Sequence, residues 1–234
     1  MSYKKWEIFR EIRIPPDFLF FIRTDGRRFG KVVKLLDAEQ PYDRKVAECI
    51  VSTVLSLPDE GFTPVISYIV SDEINMLFKE IPYGGRIEKI LSVLSGVLSS
   101  RLTLELYNKF GRNVVVSFDA RIILLPSNLI EDYIISRQKI GWNNCLVSHA
   151  AYVLRKKGFS SDEIGKRLYC ANQSMLHEIL MKEGGINPSK LPAWQKNGIL
   201  LYRDIEGYIT EWDVPLFTSP SGAQLLHHIL AQYI

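Results

Sequence analysis

Phe18-Leu19-Phe20-Phe21-Ile22-Arg23-Thr24-Asp25-Gly26-Arg27 and Val65-Ile66-Ser67-Tyr68-Ile69-Val70-Ser71-Asp72-Glu73 are two apolar runs that each stop at carboxylates. Short runs rich in aromatic and β-branched residues, bounded by turn residues, read as strands. The second is followed at once by Ile74-Asn75-Met76-Leu77-Phe78, so Ser71-Asp72 reads as a tight hairpin. An acid at the end of a buried strand sits at the rim of a sheet, open to solvent and substrate. Two such acids brought together suit a hard cation, and Mg²⁺ takes one or two carboxylates, completing its shell with water and phosphate. Phosphoryl chemistry is therefore the leading expectation. Plain turns remain an alternative for both fragments, since Asp-Gly is a common turn dipeptide.

Working outward, Pro41-Tyr42-Asp43 reads as a turn opening a helix from Arg44 to about Leu57, with Val46, Ile50, Val51, Val54 and Leu55 on one face. Strands are expected over roughly 18–25, 62–70 and 73–80. A helix over 86–108 carries Ile87, Ile90, Leu94, Leu98, Leu102 and Leu106 on one side, and residues 113–126 are again strand-like. The order β-α-β-β-α-β predicts an α+β fold with a ferredoxin-like core. The polymerase palm, nucleotide cyclases and RNA-binding modules all share that order, so it does not choose among them. Segments 128–157, 161–170 and 174–183 read as helices, with a hairpin near 198–212 and a last helix carrying Leu225, Leu226, Ile229 and Leu230. The expected division is a palm-like catalytic core over 1–127 and a helical region over 128–234 packed on it.

Bulk composition narrows the classes. The chain has 234 residues, 47% of them hydrophobic, enough for a proper core. A net charge of +3 permits a polyanionic partner without demanding one. Cys49, Cys145 and Cys170 are far apart, so neither a disulfide framework nor a zinc site is expected, and a reducing, cytoplasmic setting is the default. The start, Met1-Ser2-Tyr3-Lys4-Lys5, lacks a signal-peptide apolar region. No apolar run approaches the ~20 residues of a membrane span, so no membrane partner is expected.

On the proposed sheet Asp25 and Asp72 fall in strands one and two, taken as neighbours, so their carboxylates converge. Gly26 allows a sharp turn and offers its carbonyl at close range. Two metal ions there would activate an attacking oxygen and steady a leaving pyrophosphate. Arg23, Arg27, Arg28, Arg86 and Lys89 are expected to ring the same rim; for any one of them a solvated face is the plainer reading. His149, His177, His227 and His228 have no metal-ligand spacing and are read as structural or surface groups.

Several fragments together resemble one family. They are Arg23-Thr24-Asp25-Gly26-Arg27-Arg28-Phe29, Pro41-Tyr42-Asp43, Ser71-Asp72-Glu73-Ile74 and Gly85-Arg86-Ile87-Glu88-Lys89-Ile90. Phe118-Asp119-Ala120-Arg121, Ser136-Arg137-Gln138, His177-Glu178-Ile179-Leu180, Gly185-Ile186-Asn187 and Leu191-Pro192-Ala193-Trp194-Gln195 follow in order. The set resembles the tRNA-His guanylyltransferases and their guanylyltransferase-like relatives, the 3′-to-5′ RNA polymerases. The resemblance implies a palm enzyme that extends the 5′ end of tRNA. A 5′-monophosphate is activated with ATP or GTP, and the 3′-hydroxyl of an incoming NTP attacks it. It further implies that Asp25, the Gly26 carbonyl and Asp72 hold two Mg²⁺ ions, with Glu73 beside them as a third catalytic acid. Arg23, Gly26, Arg27, Asp43, Ser71, Arg86 and Lys89 would contact nucleotide, Arg137, Trp142 and Asn144 would contact tRNA, and the assembly would be a homotetramer.

The departures point to a subgroup. Gln40 stands where the family usually has Lys, Gly30 where eukaryotic members have His, and Trp142-Asn143-Asn144-Cys145 where they have His-Ile-Asn-Asn. The pattern is closer to the archaeal and bacterial guanylyltransferase-like members, which implies template-dependent repair of 5′-truncated tRNA. A dedicated enzyme adding one G to tRNA-His, or a silent tRNA-binding paralogue, are the alternatives.

Overall fold

The computed structural model describes residues 3–233; Met1, Ser2 and Ile234 lie outside them. In chain order the elements are β1 (Phe20–Gly26), α1 (Phe29–Leu36), α2 (Arg44–Leu55), β2 (Ile66–Val70), β3 (Glu73–Phe78), α3 (Ile87–Phe110) and β4 (Phe118–Leu124). Then come α4 (Ile130–Lys156), α5 (Ser161–Leu168), α6 (Gln173–Glu178), α7 (Ala193–Lys196), β5 (Ile199–Asp204), β6 (Gly207–Glu211) and α8 (Pro220–Leu230). The six strands form one antiparallel sheet in the order β4-β1-β3-β2-β5-β6.

That order carries the ferredoxin-like core and corrects one expectation. β1 and β2 are not neighbours: β3 lies between them, pairing Thr24 with Ile74 on one side and Val70 with Glu73 on the other. The hairpin near 198–212 does more than follow the core. It extends the sheet, with Ile199 paired to Ile69, so residues 128–234 add strands as well as helices.

Both faces of the sheet are covered, which is why β1 reads as an unbroken apolar run. Phe20 and Ile22 point into a core with Phe29 and Leu36 of α1, Val46 and Ile50 of α2, and the α3 stripe. That stripe, Ile90-Leu94-Leu98-Leu102-Leu106, repeats every four residues and is wholly buried. By length and composition α3 would also suit a membrane, but this stripe is packed on the sheet. Phe21 and Leu77 point the other way, against Ile130 and Ile134 of α4 and Leu226 and Ile229 of α8. A smaller core joins Leu146, Val153 and Leu154 of α4 to Ile164 of α5 and Leu176 of α6.

Two details set the frame of the site. Gly141 brings α4 down onto the sheet, where a Cβ would come within 2.5 Å of Val70 Cγ1. Gln138, buried in α4, donates to the Asn197 and Pro215 carbonyls and accepts from the Phe217 amide, tying the helix to the tail.

Residues 29–36 fold as α1, where sequence reading placed no helix. Of the 113–126 run only Phe118–Leu124 is strand. At its start, the Val116 and Phe118 amides donate to the Thr103 and Ser99 hydroxyls of α3.

Candidate active site

Strand alternation decides which side chains meet. Arg23 and Asp25 point to the α4 face of β1. Paired positions share a face, so Asp119 and Arg121 of β4 and Asn75 of β3 lie beside them. Glu73, next to Ile74, falls level with Asp25. Asp72 arrives from the β2–β3 turn, where Ser71 has a left-handed backbone (φ 58°). Its carboxylate closes on Gly26, and Oδ2 is 2.8 Å from where a Cβ on that glycine would stand.

The electrostatics are those of crowded, partly buried carboxylates. Burial, and then the charge of Asp25, push Asp72 up to about 6. Asp25 is also raised, by burial and by Glu73 and Asp119, while Arg121 and Arg23 oppose the rise. Asp25, Tyr42, Asp72, Arg137, Asn144 and Ser148 line a cleft of about 260 Å³. Ser71 and Tyr42 also border a mainly apolar recess walled by Phe29, Val33, Ile50 and Trp194.

Among the described residues no three His, Cys, Asp or Glu side chains converge as a metal cage. Two carboxylates that repel one another are a donor set that a largely hydrated Mg²⁺ accepts. Asp25 and Asp72 therefore fit such an ion, with the buried Gly26 backbone against the Asp72 carboxylate.

The sequence profile of the tRNAHis guanylyltransferases matches residues 1–126, more than half of the chain. The chain belongs to the tRNA-His guanylyltransferase family. Its members are nucleotidyltransferases, and so is this one. A probable tRNA(His) guanylyltransferase of Drosophila melanogaster is 28% identical over 196 residues, covering 81% of this chain and 68% of that protein. The tRNA(His) guanylyltransferase of Candida glabrata is 27% identical over 219 residues, covering 86% and 91%. A bacterial tRNA(His) guanylyltransferase-like protein solved in complex with ATP shares the fold at a TM-score of 0.81 and 23% identity, covering 99% of this chain and 97% of that one. The Saccharomyces cerevisiae tRNA(His) guanylyltransferase superposes at 0.73, with 23% identity and 90% and 95% coverage.

In this family member the remaining expected site residues divide. Glu73 is not a free acid. Arg137 grips it with two bonds, Nε to Oε1 at 2.9 Å and Nη2 to Oε2 at 2.5 Å, and Asn75 donates to Oε1 at 2.8 Å. Arg137, expected to face tRNA, is thus turned inward. Asp43 is likewise occupied as the N-cap of α2, accepting from the Lys45, Val46 and Glu39 amides. It borders the recess without offering a free carboxylate.

Arg86 and Lys89 do not ring the acids. β3 runs away from Glu73 and α3 starts beyond its far end, where Arg86 bridges to Arg13 and Lys89 lies over the Tyr83 ring. The seven-residue β1 spans that gap, roughly 20 Å. Arg27 and Arg28 line a separate cleft with Lys31 on the outer side of α1. Trp142 packs edge-on to His177 within the smaller core, whereas Asn144 is exposed in the main cleft.

Sequence reading missed Tyr42 and Ser148 as cleft walls, and Phe29 and Trp194 as walls of the recess. Tyr42 was legible only as part of the Pro41-Tyr42-Asp43 turn. His149 proves structural: it is buried, bonds Gln195 at 3.1 Å and packs on Tyr42. All three cysteines are free.

Proposed function

We propose that the chain is a Mg²⁺-dependent 3′-to-5′ nucleotidyltransferase that adds nucleotides to the 5′ end of tRNA, and that it repairs 5′-truncated tRNAs against the opposing strand. The observation that carries this reading is the approach of Asp72 to Asp25 and Gly26 at the mouth of the cleft. Bound at those groups, Mg²⁺ would supply the Lewis acidity that phosphoryl transfer needs. The neighbouring recess, walled by Phe29, Tyr42 and Trp194, has the apolar character that a nucleobase prefers.

ATP or GTP would activate a 5′-monophosphate, and the 3′-hydroxyl of the incoming NTP would attack it. Complexes of the bacterial relative with ATP and with GTP support nucleotide use. Trp142-Asn143-Asn144, in place of the eukaryotic pattern, supports repair over strict tRNA-His recognition. Arg86 and Lys89 would meet an acid pair only in another copy of the chain, as in a cytoplasmic homotetramer.

The test is a tRNA lacking its first nucleotide and bearing a 5′-monophosphate, given ATP, Mg²⁺ and one labelled NTP at a time. Incorporation of only the NTP that pairs with the opposing base is expected. G added whatever the opposing base would mark a dedicated guanylyltransferase, and no addition would overturn the reading.

A further inference from the structure

Three carboxylates stand level across the edge of the sheet. Asp119 is paired with Asp25 in the β4–β1 register, and Glu73 takes the next place on β3. A trio of acids at one rim invites the assignment of all three to metal. Their partners say otherwise. Asp119 and Arg121 are 3.6 Å apart, both more than half exposed. Glu73 is held by Arg137 in a two-bond fork, with side chains only 16% and 13% exposed. Asp25, between them, forms no ion pair among the described residues.

Glu73 is further fixed from behind. Asn75 donates to it and in turn accepts from the Tyr133 hydroxyl at 2.7 Å. Tyr133 and Arg137 are four apart on α4, so one helix face supplies both ends of the network. A planar guanidinium matched to a carboxylate in this way engages both oxygens, so that Glu73 acts on Asp25 through its charge and not as a free ligand.

We infer that Arg137 is a positioning residue that holds the Glu73 carboxylate out of the metal site, so that Asp25 and Asp72 take a divalent cation as a pair of carboxylates rather than a trio. This rests on the acid pair being a metal site, as proposed above. Arg137 then sets the charge of the site and also fixes the height of α4 over the cleft. Its role is neither contact with the reacting atoms nor contact with RNA.

The test measures Mn²⁺ binding to the full chain by electron paramagnetic resonance, without nucleotide or RNA. Wild type is expected to bind, and Asp25→Asn and Asp72→Asn to weaken binding at least tenfold. If neither does, the acid pair is not a metal site, and both this inference and the proposed function fall. With that control met, Arg137→Met exposes an uncompensated acid beside Asp25 and is expected to tighten Mn²⁺ about tenfold. The pair Arg137→Met with Glu73→Gln removes the third carboxylate at unchanged net charge and is expected to bind within threefold of wild type. Should the single variant not fold, the double still decides, since it leaves no buried charge unpaired. Loss of binding in the double to the level of Asp25→Asn would make Glu73 a ligand and overturn the inference. An unchanged affinity in a folded Arg137→Met would overturn it equally.

Discussion

The Asp72 carboxylate occupies the space that a side chain on Gly26 would need, with Oδ2 2.8 Å from the missing Cβ and Phe29 Cδ2 2.9 Å from it. Gly26→Ala must therefore move the acid or the α1 aromatic. End addition is expected to fall at least a hundredfold, with a stability loss of about 1–3 kcal/mol for overpacking. Steady-state addition and thermal melting of the same variant check both.

Asp72 is raised to about 6 by burial and by Asp25. Folding thus favours its protonated form. The unfavourable contribution is absent below the unfolded value of about 3.9. It is fully present above about 6, where the folded protein must carry the buried charge. Without metal, Asp72→Asn is expected to melt above wild type at pH 8 and level with it at pH 4. The gain is at most roughly 2–3 kcal/mol by the usual 1.36 kcal/mol per unit. Added Mg²⁺ should narrow the gap at pH 8 by stabilising only the wild type. A variant less stable at pH 8 would contradict the placement.

Asp43 caps α2 through two amides and holds the Glu39 amide as well. Asp43→Ala is expected to cost about 1–2 kcal/mol in denaturant unfolding. Asp43→Asn, which keeps a cap acceptor, should cost much less. Mn²⁺ affinity should be unchanged in both, which separates Asp43 from the metal-binding acids.

Arg86 lies at the far end of the sheet. Arg86→Ala is expected to leave Mn²⁺ binding at the wild-type level, as is Lys89→Ala. Tighter Mn²⁺ binding in either would mean that the lost cation had stood beside an acid pair, of this copy or of another.

Lys157 and Arg167 both pair with Glu183, and Arg155 reaches Gln40. Lys139 and Lys166 are exposed and form no ion pair among the described residues. Under the proposed function, tRNA affinity should fall steeply with salt. Lys166→Ala should reduce the slope by about one, and Lys157→Ala by less.

The strand ends, the Ser71-Asp72 turn and the acid pair were legible because burial on both faces of the sheet imprints continuous apolar runs. α1 was hidden although Phe29, Val32 and Leu36 follow helical spacing. Arg28, its N-cap, is left-handed without a side-chain cap bond, and Gly30 and the Val32-Val33 pair weaken the signal. The neighbours of β1 were misread because chain order alone hides the insertion of β3. The pairing of Glu73 with Arg137 crosses 64 positions of sequence. No local pattern carries it, and so both residues looked like free site groups.

α4 reaches from the acid rim to the core shared with α5 and α6. Its 27 residues make one rod of ~40 Å. Arg137 meets Glu73, Gly141 meets Val70, and Val153 faces Gly184 within a few ångströms. Each contact depends on its angle around a single axis. Inserting or deleting one residue between positions 137 and 153 would turn one end against the other by about 100°. The rod therefore works as a gauge as well as a scaffold: a change of one residue in its length is expected to disturb both ends, where a substitution on its outer face disturbs neither.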